Sequence, residues 1–325
     1  MHILIKWYYW YKNLWDELII FSLLNRANER FNPNKISIEC WNKDWLKNRI
    51  IRHKDFLVPW IIEKLNFLPK PNRKEKIKIC LWMKRKLYDF IILWWWEVID
   101  ESRDFLYRWW NLFLQYRRSI KKWITAIIGW LWTNKKLWTS FLQNFFIKNA
   151  NIIILRDQNS FKLTKKILEQ NWQNRKEKSE YGWDLTLSLL EEAKEIFSEK
   201  KIKSNRYPYY LINCSPLCDG KKCFKLIKKF VDYYKDLQPI YVACNTYEDE
   251  KFFKDIQKIL PNCEKFNRTQ TNITETLKLF YFAEGGIWAR LHFLYILKFF
   301  KKKFIQLHNS HKIQVNLSDL DNNNA

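Results

Sequence analysis

Glycine is scarce in this sequence, with 5 Gly among 325 residues. A globular chain usually contains about 7% glycine. Glycine permits positive φ angles and close approach of the backbone, which the tight turns between strands and helices need. The scarcity therefore argues against an α/β protein of ordinary design, unless other residues stand at its turns.

Long apolar runs and a signal peptide are missing as well. No apolar run approaches the roughly 18 residues that a membrane-spanning helix needs, and the longest runs, at 90–96 and 124–132, have the length of strands. The first residues, Met-His-Ile-Leu-Ile-Lys, lack the charged-then-apolar order of a signal peptide. We therefore expect a cytoplasmic protein whose chain begins with a buried β-strand.

Acidic residues are too few to balance the basic ones. The chain has 58 Lys and Arg against 34 Asp and Glu, which gives a formal net charge of +24. Such an excess suggests an anionic partner: nucleic acid, a membrane surface or a phosphorylated substrate. The lysines are spread along the chain and no nucleic-acid-binding motif is visible, so nucleic acid is not expected.

The seven cysteines include no CxxC pair. Cys214, Cys218 and Cys223 invite comparison with a zinc site, but their spacing fits no standard zinc knuckle. We expect free thiols, and neither a metal ion nor a cofactor.

Tryptophan, in contrast, is abundant, with 19 residues. Several stand directly after predicted strands, where turn glycines are wanted: Trp7, Trp10 and Trp15; Trp94, Trp95 and Trp96; Trp130 and Trp132. Some bacteria read the UGA codon as glycine, and a translation table that reads UGA as tryptophan would produce this pattern. We interpret many of these tryptophans as glycines in the living protein. The alternative is a genuinely tryptophan-rich protein.

Short apolar runs alternate with amphipathic segments, the pattern of α/β layers around parallel sheets. Strands are predicted at 2–6, 35–40, 76–81, 89–93, 124–128, 151–155, 209–214, 239–244 and 304–307, and helices at 18–30, 105–121, 137–148, 161–170, 223–234, 249–260 and 273–280. The composition turns polar and charged around 172–204. This predicts an N-terminal α/β domain over 1–190, a linker over 191–206 and a C-terminal α/β domain over 207–325, with a cleft between the domains.

Two places in the chain are suited to an anion. The segment 283–292 predicts a strand, a tight turn and a helix that begins beside Arg290 and His292. A helix start offers unpaired N–H groups and the positive end of the macrodipole. Arg156 follows a predicted strand, and ligands bind at the carboxyl ends of strands in open α/β sheets. The alternatives are a solvated Arg290, a surface His292 and an ion pair between Arg156 and Asp157.

Several stretches together resemble the motifs of the polysaccharide pyruvyl transferase family (CsaB-like). The stretch 13–17 (Asn-Leu-Trp-Asp-Glu) resembles N-x-G-D-E, 94–96 resembles G-G-G, 155–160 resembles V-R-D-x-x-S, and 287–292 (Ile-Trp-Ala-Arg-Leu-His) resembles I-G-x-R-L-H. The stretch 181–184 resembles a later strand of the family that ends in aspartate, and 306–312 resembles a terminal strand that ends in lysine. The departures are almost all Gly to Trp, which fits the recoding interpretation.

The resemblance implies a GT-B-like pair of Rossmann-type domains that transfers pyruvate from phosphoenolpyruvate to a sugar as a ketal. Because this donor carries a phosphate and a carboxylate, its site needs several cations, and Arg156, Arg290 and Lys312 can supply them. His292 is the candidate general acid, with phosphate binding as its alternative role.

The acceptor is expected to be a sugar of a cell-surface glycan, which a lipid can carry at the inner face of the membrane. Asn13 and Asp16 are candidates for substrate binding, and helix capping is the alternative role for Asp16. Two rival functions stay open. One is a nucleotide-sugar-dependent GT-B glycosyltransferase, and the other is a non-catalytic basic protein that binds nucleic acid or an anionic membrane.

Overall fold

A computed structural model describes most of the chain. The described residues are 1–6, 13–40, 42–58, 60–69, 88–95, 124–129, 144, 147–148, 150–155, 158–169, 179–181, 185–199, 207–215 and 220–307.

Seven parallel strands form the first sheet, in the order β3-β2-β1-β4-β5-β6-β7. The central strands are short apolar runs, as expected for strands buried on both faces of a sheet. Ile3 of β1 pairs with Ile36 of β2 on one side and with Phe90 of β4 on the other. The strands are β1 (His2–Lys6), β2 (Lys35–Cys40), β3 (Leu65–Pro69), β4 (Phe90–Trp95), β5 (Ile124–Gly129), β6 (Ile152–Leu155) and β7 (Ser179–Tyr181).

Four described helices lie between β1 and β7 in the sequence: α1 (Leu14–Phe31), α2 (Lys43–Arg52), α3 (Ile61–Lys64) and α4 (Gln158–Glu169). Helix α2 begins where Asn42 accepts a hydrogen bond from the Trp45 N–H, a standard N-cap. No described helix is both long enough and apolar enough to cross a lipid bilayer.

Five parallel strands form the second sheet, in the order β10-β9-β8-β11-β12. Its core packs aliphatic and aromatic side chains of the strands against the helices, with Tyr210, Tyr241, Ile227 and Ile256 buried. The strands are β8 (Tyr209–Ile212), β9 (Gln238–Val242), β10 (Glu264–Phe266), β11 (Gly285–Trp288) and β12 (Lys303–Gln306). The helices are α5 (Leu185–Glu199), α6 (Gly220–Tyr233), α7 (Thr246–Asp249), α8 (Phe253–Ile259), α9 (Ile273–Phe282) and α10 (Leu291–Phe299).

The strand order reverses once in each sheet. In the second sheet the chain runs outward from β8 through β9 to β10, and then returns to place β11 beside β8. In the first sheet the corresponding neighbours are β1 and β4. Open α/β sheets bind ligands outside the carboxyl ends of the strands at such a switch point. The topology therefore directs attention to the residues that follow β8 and β11.

The chain divides into two compact units, and their limits differ from the predicted domains. The first unit comprises Met1–Tyr11 and Leu23–Leu185, and the second comprises Lys12–Ser22 and Thr186–Ala325. The α/β class and the two sheets are confirmed. The predicted linker is wrong over 191–199, because these residues form the later part of α5. Glu191, Lys194 and Glu195, which contributed to the charged composition behind the linker prediction, lie on the exposed face of this helix.

The predicted elements are only partly within the described residues. The strand predicted at 76–81, the helix at 105–121 and most of the helix at 137–148 lie outside them. Strands β3, β7 and β10 were not predicted from the sequence pattern, although β7 ends at Tyr181, where the stretch that resembles a later strand of the family begins. Two of them have three residues each and include Glu, Lys or Ser, so they lack the apolar run that marks a buried strand.

Two of the few glycines stand where β11 meets its neighbours. A Cβ on Gly285 would lie 2.6 Å from the backbone oxygen of Lys303 in β12. A Cβ on Gly286 would lie 2.8 Å from Cδ1 of Leu297, a side-chain end that can move, and 3.2 Å from the backbone oxygen of Leu211. Glycine is thus needed at 285 because β12 lies so close.

This difference predicts an order of stability for two alanine variants. Gly285→Ala should lower the free energy of unfolding by about 1–3 kcal/mol, since backbone atoms must shift to admit the methyl group. Gly286→Ala should cost less, because most of its conflict is with the flexible end of Leu297. Urea unfolding of both variants measures the difference, and an equal loss in the two would contradict this account of the strand packing.

Candidate functional site

The carboxyl edge of the second sheet gathers a set of polar and charged side chains. Asn213 follows β8, Asn245 follows β9, Arg268 follows β10 and Arg290 follows β11. Asn213, Asn245 and Arg268 are buried, and Arg290 is half-buried. Parallel strands bring their carboxyl ends to one edge, so residues far apart in the sequence meet here.

Asp249 is the acceptor at the centre of this edge. Its Oδ2 accepts hydrogen bonds from the backbone N–H groups of Cys244 (3.1 Å) and Asn245 (3.0 Å) and from Nδ2 of Asn213 (3.0 Å). Its side chain is fully buried. Burial raises the pKa of Asp249, and the guanidinium of Arg290 opposes that rise. With this many donors around it, we take the carboxylate as ionised and as the group that holds the β8 and β9 ends together.

Arg290 binds two carboxylates. Its guanidinium donates from Nε to Asp249 Oδ1 at 2.8 Å and from the second terminal nitrogen to Asp249 Oδ1 and Glu248 Oε2, both at 2.6 Å. Burial acts to lower the pKa of Arg290, but these contacts outweigh it and raise the pKa above its ordinary value. Arg290 is therefore charged, but the two carboxylates more than balance that charge locally.

A second ion pair is completely buried beside it. Arg268 donates from Nη1 to Glu17 Oε1 at 2.8 Å and from Nε to the backbone oxygen of Ala243 at 3.2 Å. The side chains of Arg268 and Glu17 are 0% and 1% exposed. Glu17 lies in the first turn of α1, so this pair joins the start of that helix to the end of β10.

Asn13 holds the start of α1 at the same edge. Its Oδ1 accepts from the backbone N–H of Trp15 at 3.0 Å, and its backbone oxygen accepts from Glu17 at 3.2 Å. The Leu14 N–H donates to the Cys244 oxygen at 3.0 Å, and Asn13 forms an isolated antiparallel bridge with Asn245. Asn13 is thus a helix-capping residue here. Asp16, in the same turn, is buried at 5% exposure.

His292 lies in the first turn of α10 and is covered by Trp15. The two rings are stacked, with centroids 4.6 Å apart and planes at 8°. Tyr295, one turn further along α10, meets the Trp15 ring edge-on at 5.5 Å and 81°. Nε2 of His292 is buried, and Trp15 itself is 1% exposed.

Trp288 fills the neighbouring position at the end of β11. It is 0% exposed, and its ring is parallel to that of Phe293 with the centroids 3.2 Å apart. Aromatic pairs usually keep their centroids about 4.5–7 Å apart. Among the described residues, Nε1 of Trp288 has no hydrogen-bond partner. This tryptophan is tightly confined.

The predicted site residues therefore divide into two groups. Asn13, Asp16, Arg290 and His292 belong to the second unit, where Asn13 caps α1 and Arg290 binds acids. Arg156 and Lys312 lie outside the described residues, so their roles stay predictions.

Three side chains that organise this edge were absent from the sequence prediction: Asp249, Arg268 and Glu248. Asn245 and Asp249 follow a strand that the sequence did predict, so the rule about carboxyl ends could have found them. Arg268 follows β10, a strand too short and polar to be predicted.

The described cysteines are buried free thiols: Cys40, Cys214, Cys223, Cys244 and Cys263. Burial raises the pKa of Cys40 to about 11 and the pKa values of Cys244 and Cys263 to about 12. Because the thiolate is the reactive form, these three are inert at neutral pH. Over the described part of the chain, no three His, Cys, Asp or Glu side chains are grouped so that they could hold a metal ion.

No protein-family model matches the chain, and no curated protein matches it. Solved structures do match its fold. The UDP-GlcNAc 2-epimerase of Neisseria meningitidis, bound to UDP-GlcNAc, is 11% identical with a TM-score of 0.62, over 97% of this chain and 85% of that chain. The Rickettsia bellii enzyme of the same name is 10% identical with a TM-score of 0.59, over 95% and 79%. The Methanocaldococcus jannaschii enzyme is 12% identical with a TM-score of 0.57, over 96% and 85%.

The fold is of the GT-B type. Its two parallel sheets with helices are the Rossmann-like domains that the sequence predicted. At these identities the likeness concerns the fold, and one fold supports many activities.

Proposed function

We propose that the protein is a polysaccharide pyruvyl transferase, which moves pyruvate from phosphoenolpyruvate to a sugar of a cell-surface glycan as a ketal. One observation carries the proposal. The stretches 13–17 and 287–292, which resemble two motifs of that family from opposite ends of the chain, lie in contact through the stacked rings of Trp15 and His292. Motifs that act in one site are expected to meet in this way.

We propose further that Trp15 and Trp288 are glycines in the natural protein. Both stand at glycine positions of the motifs, both are buried, and they stack on two consecutive residues of α10, His292 and Phe293. The Trp15 indole thus covers the ring face of the candidate acid, and the Trp288 indole packs on the next residue of α10. Glycine at both positions would open this space.

In the proposed reaction His292 gives a proton to the methylene carbon of phosphoenolpyruvate. A cation then develops at C2, and one sugar hydroxyl attacks it. Phosphate leaves, and a second hydroxyl completes the ketal. The two hydroxyl protons recharge the acid and neutralise the phosphate, so the sum of phosphoenolpyruvate and diol equals ketal and phosphate.

The donor's charges need cations other than Arg290. Because Asp249 and Glu248 bind this guanidinium, an approaching anion meets a net negative group there. We therefore assign Arg290 a positioning role, which fixes the turn that presents His292. Arg156 and Lys312 remain the proposed cations for the phosphate and the carboxylate. No cofactor enters this scheme.

A nucleotide-sugar-dependent enzyme is the second candidate, and the fold comparisons favour it. The matched epimerase structure of Neisseria meningitidis is bound to UDP-GlcNAc. Here the carboxyl edge of the second sheet would bind the nucleotide, as open α/β sheets do.

Contact with the anionic inner face of the membrane is part of the first proposal. The net charge of +24 supports it, since each basic residue near such a surface contributes about 1 kcal/mol. A lipid-linked glycan would then lie within reach of a protein without a described membrane-spanning helix.

The decisive experiment compares the chain as written with a form that has glycine at 15, 94, 95, 96 and 288. Phosphoenolpyruvate should stabilise the glycine form by about 2.7 kcal/mol at a concentration 100 times its Kd. The same form should release phosphate in the presence of glycan acceptor and form a ketal visible by mass spectrometry. The tryptophan form should do neither, because the Trp15 indole covers His292 and the Trp288 indole packs on the next residue of α10.

Two controls separate the candidates. His292→Ala in the glycine form should still bind phosphoenolpyruvate but form no ketal, since it lacks the acid. Stabilisation of the glycine form by UDP-GlcNAc, without any by phosphoenolpyruvate, would reject pyruvyl transfer in favour of the nucleotide-sugar enzyme.

A further inference from the structure

An open cavity of about 500 Å³ lies at the amino edge of the second sheet, opposite the carboxyl edge that forms the candidate site. Its lining includes residues that directly precede strands: Pro208 before β8, Glu284 before β11 and Lys302 before β12. This volume is within the range of sites that bind small molecules. None of the described lining residues is a tryptophan, so this lining is the same in the tryptophan and glycine forms of the protein.

Three consecutive lysines, Lys301, Lys302 and Lys303, line one side of the cavity. None of them forms a salt bridge with a described residue. Lys302 is half-buried, and burial lowers the pKa of its ammonium group, although Glu284 opposes this effect. A cation that is partly removed from water, without a carboxylate in contact, is stabilised when an anion binds beside it.

Lys301 has a backbone conformation that is unusual for its residue type. Its φ angle is +57°, in the left-handed region where helix ends usually have glycine. The Lys301 N–H donates to the Lys298 oxygen at 2.9 Å, and the Lys302 N–H donates to the Leu297 oxygen at 2.8 Å. These are the two hydrogen bonds of a Schellman motif, which ends α10. Glycine would fit this turn with less strain, but it would supply no cation to the cavity.

Aromatic rings and carboxylates line other parts of the cavity. Tyr233 is 76% exposed, and the ring of Tyr234 supports it edge-on, with the centroids 4.8 Å apart and the planes at 75°. Asp236 and Glu284 are exposed acids of the same lining. An aromatic face packs against the C–H groups of a sugar ring, and carboxylates accept hydrogen bonds from hydroxyl groups.

We propose that this cavity binds a phosphate group attached to a sugar ring. The lysines bind the phosphate, the tyrosines contact the face of the ring, and Asp236 and Glu284 accept hydrogen bonds from its hydroxyl groups. Such a group occurs in free sugar phosphates and in the headgroups of some lipids. This site goes beyond the proposed function, and it does not depend on His292.

Isothermal titration calorimetry of the full chain tests the proposal with glucose 1-phosphate, glucose 6-phosphate, inorganic phosphate and glucose. We expect the sugar phosphates to bind most tightly and glucose to bind least. Lys302→Gln should weaken sugar-phosphate binding at least about tenfold, because it removes a charge-assisted hydrogen bond. Lys301→Gly should also weaken binding, without loss of stability in urea unfolding, since glycine suits the φ angle of this turn.

Two further variants control for charge and for the ring contact. Lys254→Gln changes the net charge equally at an exposed position of α8, and it should leave the affinity unchanged. Tyr233→Ala should weaken binding of the sugar phosphates several-fold and leave binding of inorganic phosphate unchanged. Circular dichroism shows whether each variant folds, and Lys301→Gly replaces Lys302→Gln if the latter does not.

Co-sedimentation with vesicles distinguishes the two sources of the ligand. Vesicles of phosphatidylcholine and phosphatidylinositol are compared with vesicles of phosphatidylcholine alone. Binding that requires phosphatidylinositol and Lys302 identifies a lipid headgroup, whereas binding in calorimetry alone identifies a free sugar phosphate.

The proposal would be overturned if neither the soluble phosphates nor the vesicles bind in a way that depends on the cavity lysines. An equal loss of affinity in Lys254→Gln, or equal affinity for inorganic phosphate and the sugar phosphates, would also contradict it. The lysines would then only offset the negative dipole ends of α6 and α10. None of these measurements involves ketal formation, so the proposed function can fail while this site is confirmed.

Discussion

Trp288→Gly should leave the free energy of unfolding within about 1 kcal/mol of its starting value, or raise it. Replacing a buried large side chain usually costs about 3–5 kcal/mol. Here two terms offset that loss. The ring of Trp288 lies closer to Phe293 than aromatic pairs prefer, and relief of such overpacking returns about 1–3 kcal/mol. Removal of the buried indole N–H, which has no hydrogen-bond partner among the described residues, should stabilise the fold by about 1–3 kcal/mol more.

Phe280→Ala is the matched control. Phe280 is also 0% exposed and also contacts Phe293, but with centroids 4.3 Å apart and planes tilted by 59°. Because this tilted pair is much less compressed than the pair of Trp288 and Phe293, its replacement should cost close to the full value of about 3–5 kcal/mol. Denaturant unfolding of the two variants gives the comparison. A similar large loss for Trp288→Gly would mean that tryptophan is native to this position.

Glu17→Leu should cost about 3–5 kcal/mol of folding free energy, because it removes the carboxylate of a fully buried ion pair. Combining it with Arg268→Met should recover much of that loss. An apolar pair of similar volume often replaces a buried ion pair without penalty. The recovery should be incomplete here, since Arg268 also donates to the backbone oxygen of Ala243.

An exposed ion pair gives the reference value. Lys258 and Asp255 are 2.7 Å apart with side chains 75% and 46% exposed. Asp255→Ala should cost less than about 1 kcal/mol, because water screens such a pair. Urea unfolding of the single and double variants measures all these terms. If Glu17→Leu costs no more than Asp255→Ala, burial of the first pair is not what stabilises the start of α1.

Most of the architecture could be predicted, because strands buried in a parallel sheet consist of short runs of apolar residues. Strands β1, β2, β8 and β9 were predicted within two residues of their observed ends. Strand β10 was missed because its sequence, Glu-Lys-Phe, contains two charges, and its position depends on pairing with β9. Helix α5 was missed because its charged face dominated its composition. Where tertiary pairing decides the structure, a local pattern cannot predict it.

The candidate site was predictable to a smaller extent. The motif that contains Arg290 and His292 directed attention to the correct strand end. The partners of Arg290 could not be predicted, because Asp249 and Glu248 lie 41 and 42 positions away in the sequence and follow a different strand. The contact between Trp15 and His292 spans nearly the whole chain, and no local rule connects them.

The dependence of the second unit on Lys12–Ser22 has a consequence for its biosynthesis. These residues are synthesised long before Arg268 and His292, with which Glu17 and Trp15 make contact. The ion pair between Glu17 and Arg268, which joins this segment to the rest of the unit, has a sequence separation of 251 residues. Contacts between such distant residues form late and slowly during folding. A fragment that starts at residue 186 would expose Arg268 and the end of β9, and would tend to aggregate. The second unit is thus completed by a segment that was synthesised long before the rest of it.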